Sequence, residues 1–118
     1  MDIEEIRAVC LSKKGVTESF PFNDTTLVFK VGNKMFALIN IEGYSKITVK
    51  CNPELAIELR EKNSFITGAY HMNKKHWNSI EVNFATDLFI KQQINNSYNL
   101  VFNSLSKNIK IKLTPNNA

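Results

Sequence analysis

TTLVFKVGNKMFALINIEGYSKITVKC, residues 25–51, is the passage that decides the fold. Gly32-Asn33 suits a two-residue hairpin turn. That turn pairs Val31 with Lys34, Phe29 with Phe36 and Leu27 with Leu38. A second turn at Glu42-Gly43 then sets Leu38 opposite Ile47 and Phe36 opposite Val49. The two registers agree, so one face of a three-strand meander carries Leu27, Phe29, Val31, Phe36, Leu38, Ile47 and Val49. A slip of one residue would invert that face. The opposite face carries Val28, Met35, Ala37 and Ile39, surrounded by Lys30, Lys46 and Lys50. It is too apolar for a face wholly given to solvent.

Helical signals flank the meander. Residues 2–13 have Asp2 as a cap, Glu4 and Glu5 in the first turn, an inward face of Ile3, Ile6 and Cys10, and Gly15 as a stop. Asn52 caps a second helix with Pro53 in its first position, and Leu55, Ala56 and Leu59 turn inward. Residues 17–24 and 63–68 read as loops, and residues 69–72 and 77–84 as a second hairpin in which Ile80, Val82 and Phe84 point to the core. Thr86 or Asp87 begins a third helix, which runs to about Leu105 with an apolar stripe of Ile94, Tyr98, Val101 and Leu105. Asn95, Asn96 and Ser97 are weak helix formers in its middle. The predicted order is α-β-β-β-α-β-β-α. Three helices are too few to cover both faces of five strands. The expectation is therefore a two-layer α+β domain over residues 1–105, with a largely antiparallel five-stranded sheet and all helices on one face. In the tail, residues 106–118, Ile109, Ile111 and Leu113 alternate with Lys110 and Lys112, the pattern of a short extra strand, with a disordered end.

A chain of 118 residues can bury one core. No apolar run nears the roughly 20 residues of a membrane span, and the acidic start does not resemble a signal peptide. A cytoplasmic location is the expectation. Cys10 and Cys51 stand far apart and outside any CxxC pair, which suits reduced thiols. The formal charge of +4 is compatible with an anionic partner.

YHMNKKHWNS, residues 70–79, holds both histidines and the single tryptophan. With a turn at Lys74-Lys75, Met72 pairs with Trp77, and His71 and His76 fall on opposite faces. That separation, with lysines at the tip and no cysteine or carboxylate close in sequence, argues against a metal site. No GxSxG motif and no phosphate-binding glycine loop is present. Acid–base chemistry through His71, His76 and Asp24 would need distant residues to converge, and Asp24 also suits a turn cap. Neither a catalytic set nor a cofactor is indicated. Tyr70, Met72 and Trp77 share the face opposite Ile80 and Val82, while Lys74 and Lys75 project from the tip. Aromatics beside lysines suit a surface that tracks a nucleic-acid backbone. The candidate contacts are Lys74, Lys75, His76, Trp77, Tyr70, Lys46, Lys50 and Lys34. DNA bound with low sequence specificity is the leading partner. One alternative is a protein-interaction face, for a weak homodimer or an acidic partner, built on the apolar and lysine-rimmed outer sheet. Another is an anion pocket between Phe22, Lys34 and the 70–77 hairpin.

GVTESFPFNDTTLVFKVGNKMFALI, VKCNPELAIELRE, GAYHMNKKHWNSIEV and SYNLV together resemble the YjbR/MmcQ family over about residues 1–105. The Y-H-x-N-K-[KR]-H-W motif stands here as Tyr70 to Trp77. The resemblance implies a small α+β domain similar to secretion chaperones and frataxin-like proteins. It also implies DNA binding by a double-wing arrangement of hairpins, with no enzymatic activity or cofactor attached.

Overall fold

A computed structural model describes residues 1–69 and 72–113. The chain runs α1 (Ile3–Leu11), β1 (Val16–Ser19), β2 (Thr26–Val31), β3 (Lys34–Asn40), β4 (Lys46–Lys50), α2 (Pro53–Lys62), β5 (Ile66–Gly68), β6 (Trp77–Glu81), a short 3-10 turn (Val82–Phe84), α3 (Asp87–Ser104) and α4 (Lys107–Leu113). The helix starts follow their capping residues. Asp2 accepts from the Glu5 amide at 2.8 Å, and Glu5 reaches back to the Asp2 amide at 3.0 Å, a reciprocal capping box. Asn52 caps α2 and Thr86 caps α3.

The sheet has six strands in the order β1-β2-β3-β4-β6-β5, every neighbouring pair antiparallel. Five were expected. The sixth arises because the segment read as a loop over 17–24 starts with an edge strand, in which Val16 pairs with Val31. The second hairpin is also displaced. Its first strand is β5, inside the segment read as a loop; of the strand expected over 69–72, Ala69 and Met72 are not in a strand and 70–71 lie outside the described residues. Its second strand stops at Glu81, and Phe84, expected in the core, is 70% exposed. The 3-10 turn breaks the alternation on which that expectation rested.

The helices lie on one face. Ile6 and Cys10 of α1 and Ile90, Ile94 and Val101 of α3 join Leu27, Phe29, Val31, Ile47, Val49 and Ile80 in one core. Complete burial of an aliphatic side chain of this size contributes about 1.5–3 kcal/mol. Phe36 meets the edge of Tyr98 with ring centroids 5.4 Å apart. Cys10 and Cys51 are buried free thiols.

The meander register differs from the simple hairpin at one place. Val31 pairs with Lys34 and Lys30 with Met35, but Phe29 pairs with Ala37, Val28 with Leu38 and Leu27 with Ile39. Phe36 is the additional residue of a β-bulge. Beyond it every side chain of β3 changes face: Ala37 and Ile39 join the helix-side core, and Leu38 moves to the outer face. β4 follows, with Ala37 opposite Val49 and Ile39 opposite Ile47. The bulge leaves backbone groups without a ladder partner, and α3 supplies one. The Ser97 hydroxyl accepts from the Lys50 amide at 2.8 Å and donates to the Phe36 carbonyl. Ser97 is fully buried, so a weak helix former sits mid-helix because the sheet requires its hydroxyl.

The tail, expected as a short extra strand with a disordered end, forms α4 as far as Leu113, and its end, 114–118, lies outside the described residues. Ile109 and Leu113 stand one turn apart and meet the sheet where glycines leave room. A Cβ on Gly32 would lie 2.6 Å from Leu105 and 3.2 Å from Ile109; one on Gly15 would lie 2.7 Å from Leu113. The alternate residue Ile111 is 58% exposed. The period-2 pattern therefore conceals an i, i+4 contact.

Candidate nucleic-acid interface

Asn73 organises the turn before β6. Its side chain accepts from the Lys75 amide at 2.9 Å, and its carbonyl accepts from the His76 and Trp77 amides. The His76 carbonyl accepts from the Cys51 amide at 2.7 Å, joining the turn to the end of β4. Arg60 of α2 donates to the Lys74 carbonyl at 2.9 Å and to Asn78 Oδ1 at 2.8 Å, and Asn78 donates to the Ala56 carbonyl. The turn is wider than a two-residue tip: Trp77 pairs with Ala69 instead of Met72, whose amide bonds to the Ala69 carbonyl. Tyr70 and His71 lie outside the described residues.

Trp77 lies on the outer face as the strand alternation requires, beside Lys50. It is only 8% exposed, packed with Val28, Leu38 and Ala69 in a second apolar cluster that Met35 and Met72 flank. An indole so covered supports the surface and presents no stacking face.

The strand directions distribute charge along the sheet. The β2–β3 turn and the turn before β6 project from the same end, three strand spacings or roughly 14 Å apart. Lys34, Lys50, Lys74 and Lys75 are all at this end, and so is Lys30, the partner of Met35. The α1–β1 turn brings Lys13 and Lys14, because Val16 pairs with Val31. α4, seated against Gly15 and Gly32, adds Lys107, Lys110 and Lys112. The opposite end holds the α1 start with Asp2, Glu4 and Glu5, the β3–β4 turn with Glu42, and the α3 start with Asp87. The N-terminal ammonium stands 3.6 Å from Asp87, and the Tyr44 hydroxyl donates to the Met1 carbonyl. Burial, reinforced by Asp2 and Glu5, pushes the Tyr44 phenol up to about 12.

The expected residues are thus partly assembled. Lys50, Lys74, Lys75 and His76 share the lysine-rich end. Lys34 is there too, but it pairs with Val31 and so sits on the helix side of its hairpin tip. Lys74 lies against Gly68, whose Cβ would come within 3.2 Å of it. Lys46 is separated: four residues from Lys50 along β4, about 13 Å, and paired with Glu81. The lysines of α4 and the anchoring role of Arg60 were missed. Only the helical state of the tail brings the former to this end. The position of Arg60 in the last turn of α2 was the one available signal for the latter.

The outer face also carries an open groove of about 790 Å³. Its floor includes Thr48 and Ser79, whose hydroxyls are 2.8 Å apart, with Thr67 next in register. Met35, Leu38, Met72 and Phe22 supply apolar walls, and Lys46 is the only charged side chain lining it among the described residues. Phe22, one member of the expected anion pocket, lines this groove and Lys34 does not. Among the described residues no three His, Cys, Asp or Glu side chains converge as metal ligands, and no helix is long and apolar enough to cross a membrane.

An antiparallel sheet with helices on one face and a groove on the other defines a two-layer α+β domain. The YjbR family model matches residues 11–100, and the chain belongs to the YjbR family. It is 31% identical to YbdF of Escherichia coli O157:H7 over 114 residues, covering 95% of this chain and 93% of that one. It is 31% identical to YjbR of Escherichia coli K12 over 81 residues, 68% of this chain and 69% of that one. The crystal structure of Deinococcus radiodurans protein DR2400, which contains domain DUF419, superposes with a TM-score of 0.87 at 32% identity. The match covers 95% of this chain and 87% of that one. A crystal structure of a Pseudomonas syringae protein gives a TM-score of 0.73 at 26% identity, covering 86% and 99%. These names state no activity.

Proposed function

We propose that this domain binds DNA through its lysine-rich end, contacting phosphates with little preference for base sequence. The observation that carries the reading is the segregation of charge along the strand axis. Two hairpin tips, the end of β4 and α4 all bring lysines to one end, where Glu54 at the start of α2 is also placed, while the starts of α1 and α3 and the β3–β4 turn bring carboxylates to the other. Such a field orients a polyanion toward one end of the molecule. The two tips stand apart by a distance comparable with the roughly 12 Å width of a duplex major groove. No arginine-rich helix is available for base readout, so backbone contact dominates. Val28, Leu38 and Trp77 of the outer-face cluster are covered and offer no surface of their own for self-association.

Fluorescence anisotropy with labelled DNA at 50–200 mM salt tests the proposal. The expected slope of log K against log salt has a magnitude of about 3–5, for that many phosphates neutralised. Lys74→Ala with Lys75→Ala should weaken all sequences alike. Absence of binding to single- and double-stranded DNA at 50 mM salt refutes it.

A further inference from the structure

We propose that the outer-face groove receives unpaired bases of a single DNA strand whose phosphates lie on the adjoining lysine end. This rests on the DNA-binding reading above and assigns it a preferred form of nucleic acid. Three features carry it. The groove, at about 790 Å³, lies within the size range of small-ligand sites and exceeds the volume of one base. Its lining is chemically suited to an uncharged, planar, hydrogen-bonding group. Thr48, Ser79 and Thr67 provide hydroxyls that donate or accept according to what faces them, and no carboxylate lines the groove among the described residues. Met35 and Met72 offer polarizable walls, and Phe22, 63% exposed, presents a ring free to stack. Finally, the groove runs along the strands and reaches the cationic end through Met35 and Met72, with Phe22, Asn40 and Gly43 lining its far end. Lys50 follows Thr48 on the same face of β4, and Lys30 pairs with Met35. A strand held there by its phosphates has a path for its bases into the groove. A duplex, whose bases are already paired and stacked, does not.

The experiment uses the full chain with labelled oligo(dT) and a hairpin duplex of equal length at 50 mM salt, with unlabelled thymidine monophosphate as competitor. Wild type should prefer the single strand by about tenfold or more, the scale of one stacked base. Phe22→Ala, on an exposed loop, should lower single-strand affinity several-fold and leave duplex affinity unchanged. Thr48→Glu should bring single-strand affinity down to the duplex value. Thermal melts establish that each variant folds, and Phe22→Ala decides the matter where Thr48→Glu does not fold. Equal single-strand and duplex affinity in wild type, or equal effects of Phe22→Ala on both, overturns the groove assignment and leaves phosphate binding standing. Thymidine monophosphate binding as tightly as the oligonucleotide overturns the single-strand assignment in favour of a free small-molecule site. Binding of no DNA at all overturns both proposals.

Discussion

Ser97→Ala separates local helix propensity from tertiary demand, because the two predict opposite signs. Alanine is the better helix former by about 0.5 kcal/mol, so α3 considered alone should be stabilised. In the folded chain the Ser97 hydroxyl serves the Lys50 amide at 2.8 Å and the Phe36 carbonyl, both left over by the β-bulge. Ser97 is fully buried, so its removal leaves two polar groups with no water to replace it. Each orphaned group costs about 1–3 kcal/mol. After the propensity gain is subtracted, the expected net loss is about 1.5–5.5 kcal/mol. Urea unfolding followed by Trp77 fluorescence should show a midpoint lowered by roughly 1–3 M with an unchanged slope. The neighbouring Asn96→Ala is the control. Asn96 is exposed, so its substitution should stabilise by a few tenths of a kcal/mol. A neutral or stabilising Ser97→Ala would refute the claim that α3 completes the hydrogen bonding of the bulge.

Three further predictions concern the same framework. Gly32→Ala places a Cβ 2.6 Å from Leu105 at φ 56°, while Gly43→Ala, at φ 65°, meets nothing within 4 Å. The first should exceed the second by about 1–3 kcal/mol in urea unfolding, the usual range for overpacking, and equal losses would contradict the packing of Leu105 on the turn. Arg60→Ala should destabilise by about 1–3 kcal/mol and speed amide exchange at Lys75 and Trp77, and Arg60→Lys should not restore the two-pronged contact. The Arg7 guanidinium, hydrogen-bonded to Glu18 at 2.6 Å, holds that carboxyl below the usual range. Its folded pKa lies below the unfolded value, so the stabilisation is present above about pH 4.3 and disappears as pH falls through the folded pKa. The thermal midpoint of Glu18→Gln should therefore lie below wild type at pH 7 and converge with it in acid; a gap of constant size would contradict the ion pair.

Much of the fold was legible in local chemistry. Asp2, Asn52 and Thr86 cap their helices because a short polar side chain satisfies amides a few residues away, and Gly32-Asn33 turns a hairpin because both positions have positive φ. The outer-face position of Trp77 followed from strand alternation, and its burial did not, because covering it requires Val28, Leu38 and Ala69 from other elements. The candidate lysines were visible individually. Which of them stand together depends on strand direction, and this joined Lys34, Lys50, Lys74 and Lys75 at one end while leaving Lys46 behind.

Local chemistry alone settled the helix starts, the β2–β3 turn, the core apart from part of β3 and Phe84, all strands but the edge strand β1 and the displaced β5, and the family motif. All of these rest on contacts within a few residues or on simple periodicity. Tertiary structure decided the bulge at Phe36, the helical state of the tail and the charge axis. The bulge needs a hydroxyl from Ser97, 61 residues away. The tail pattern fits a strand or a helix equally until Gly15 and Gly32 offer landing places for Leu113 and Ile109. The charge axis is a sum over elements distant in sequence, so no single segment contains it.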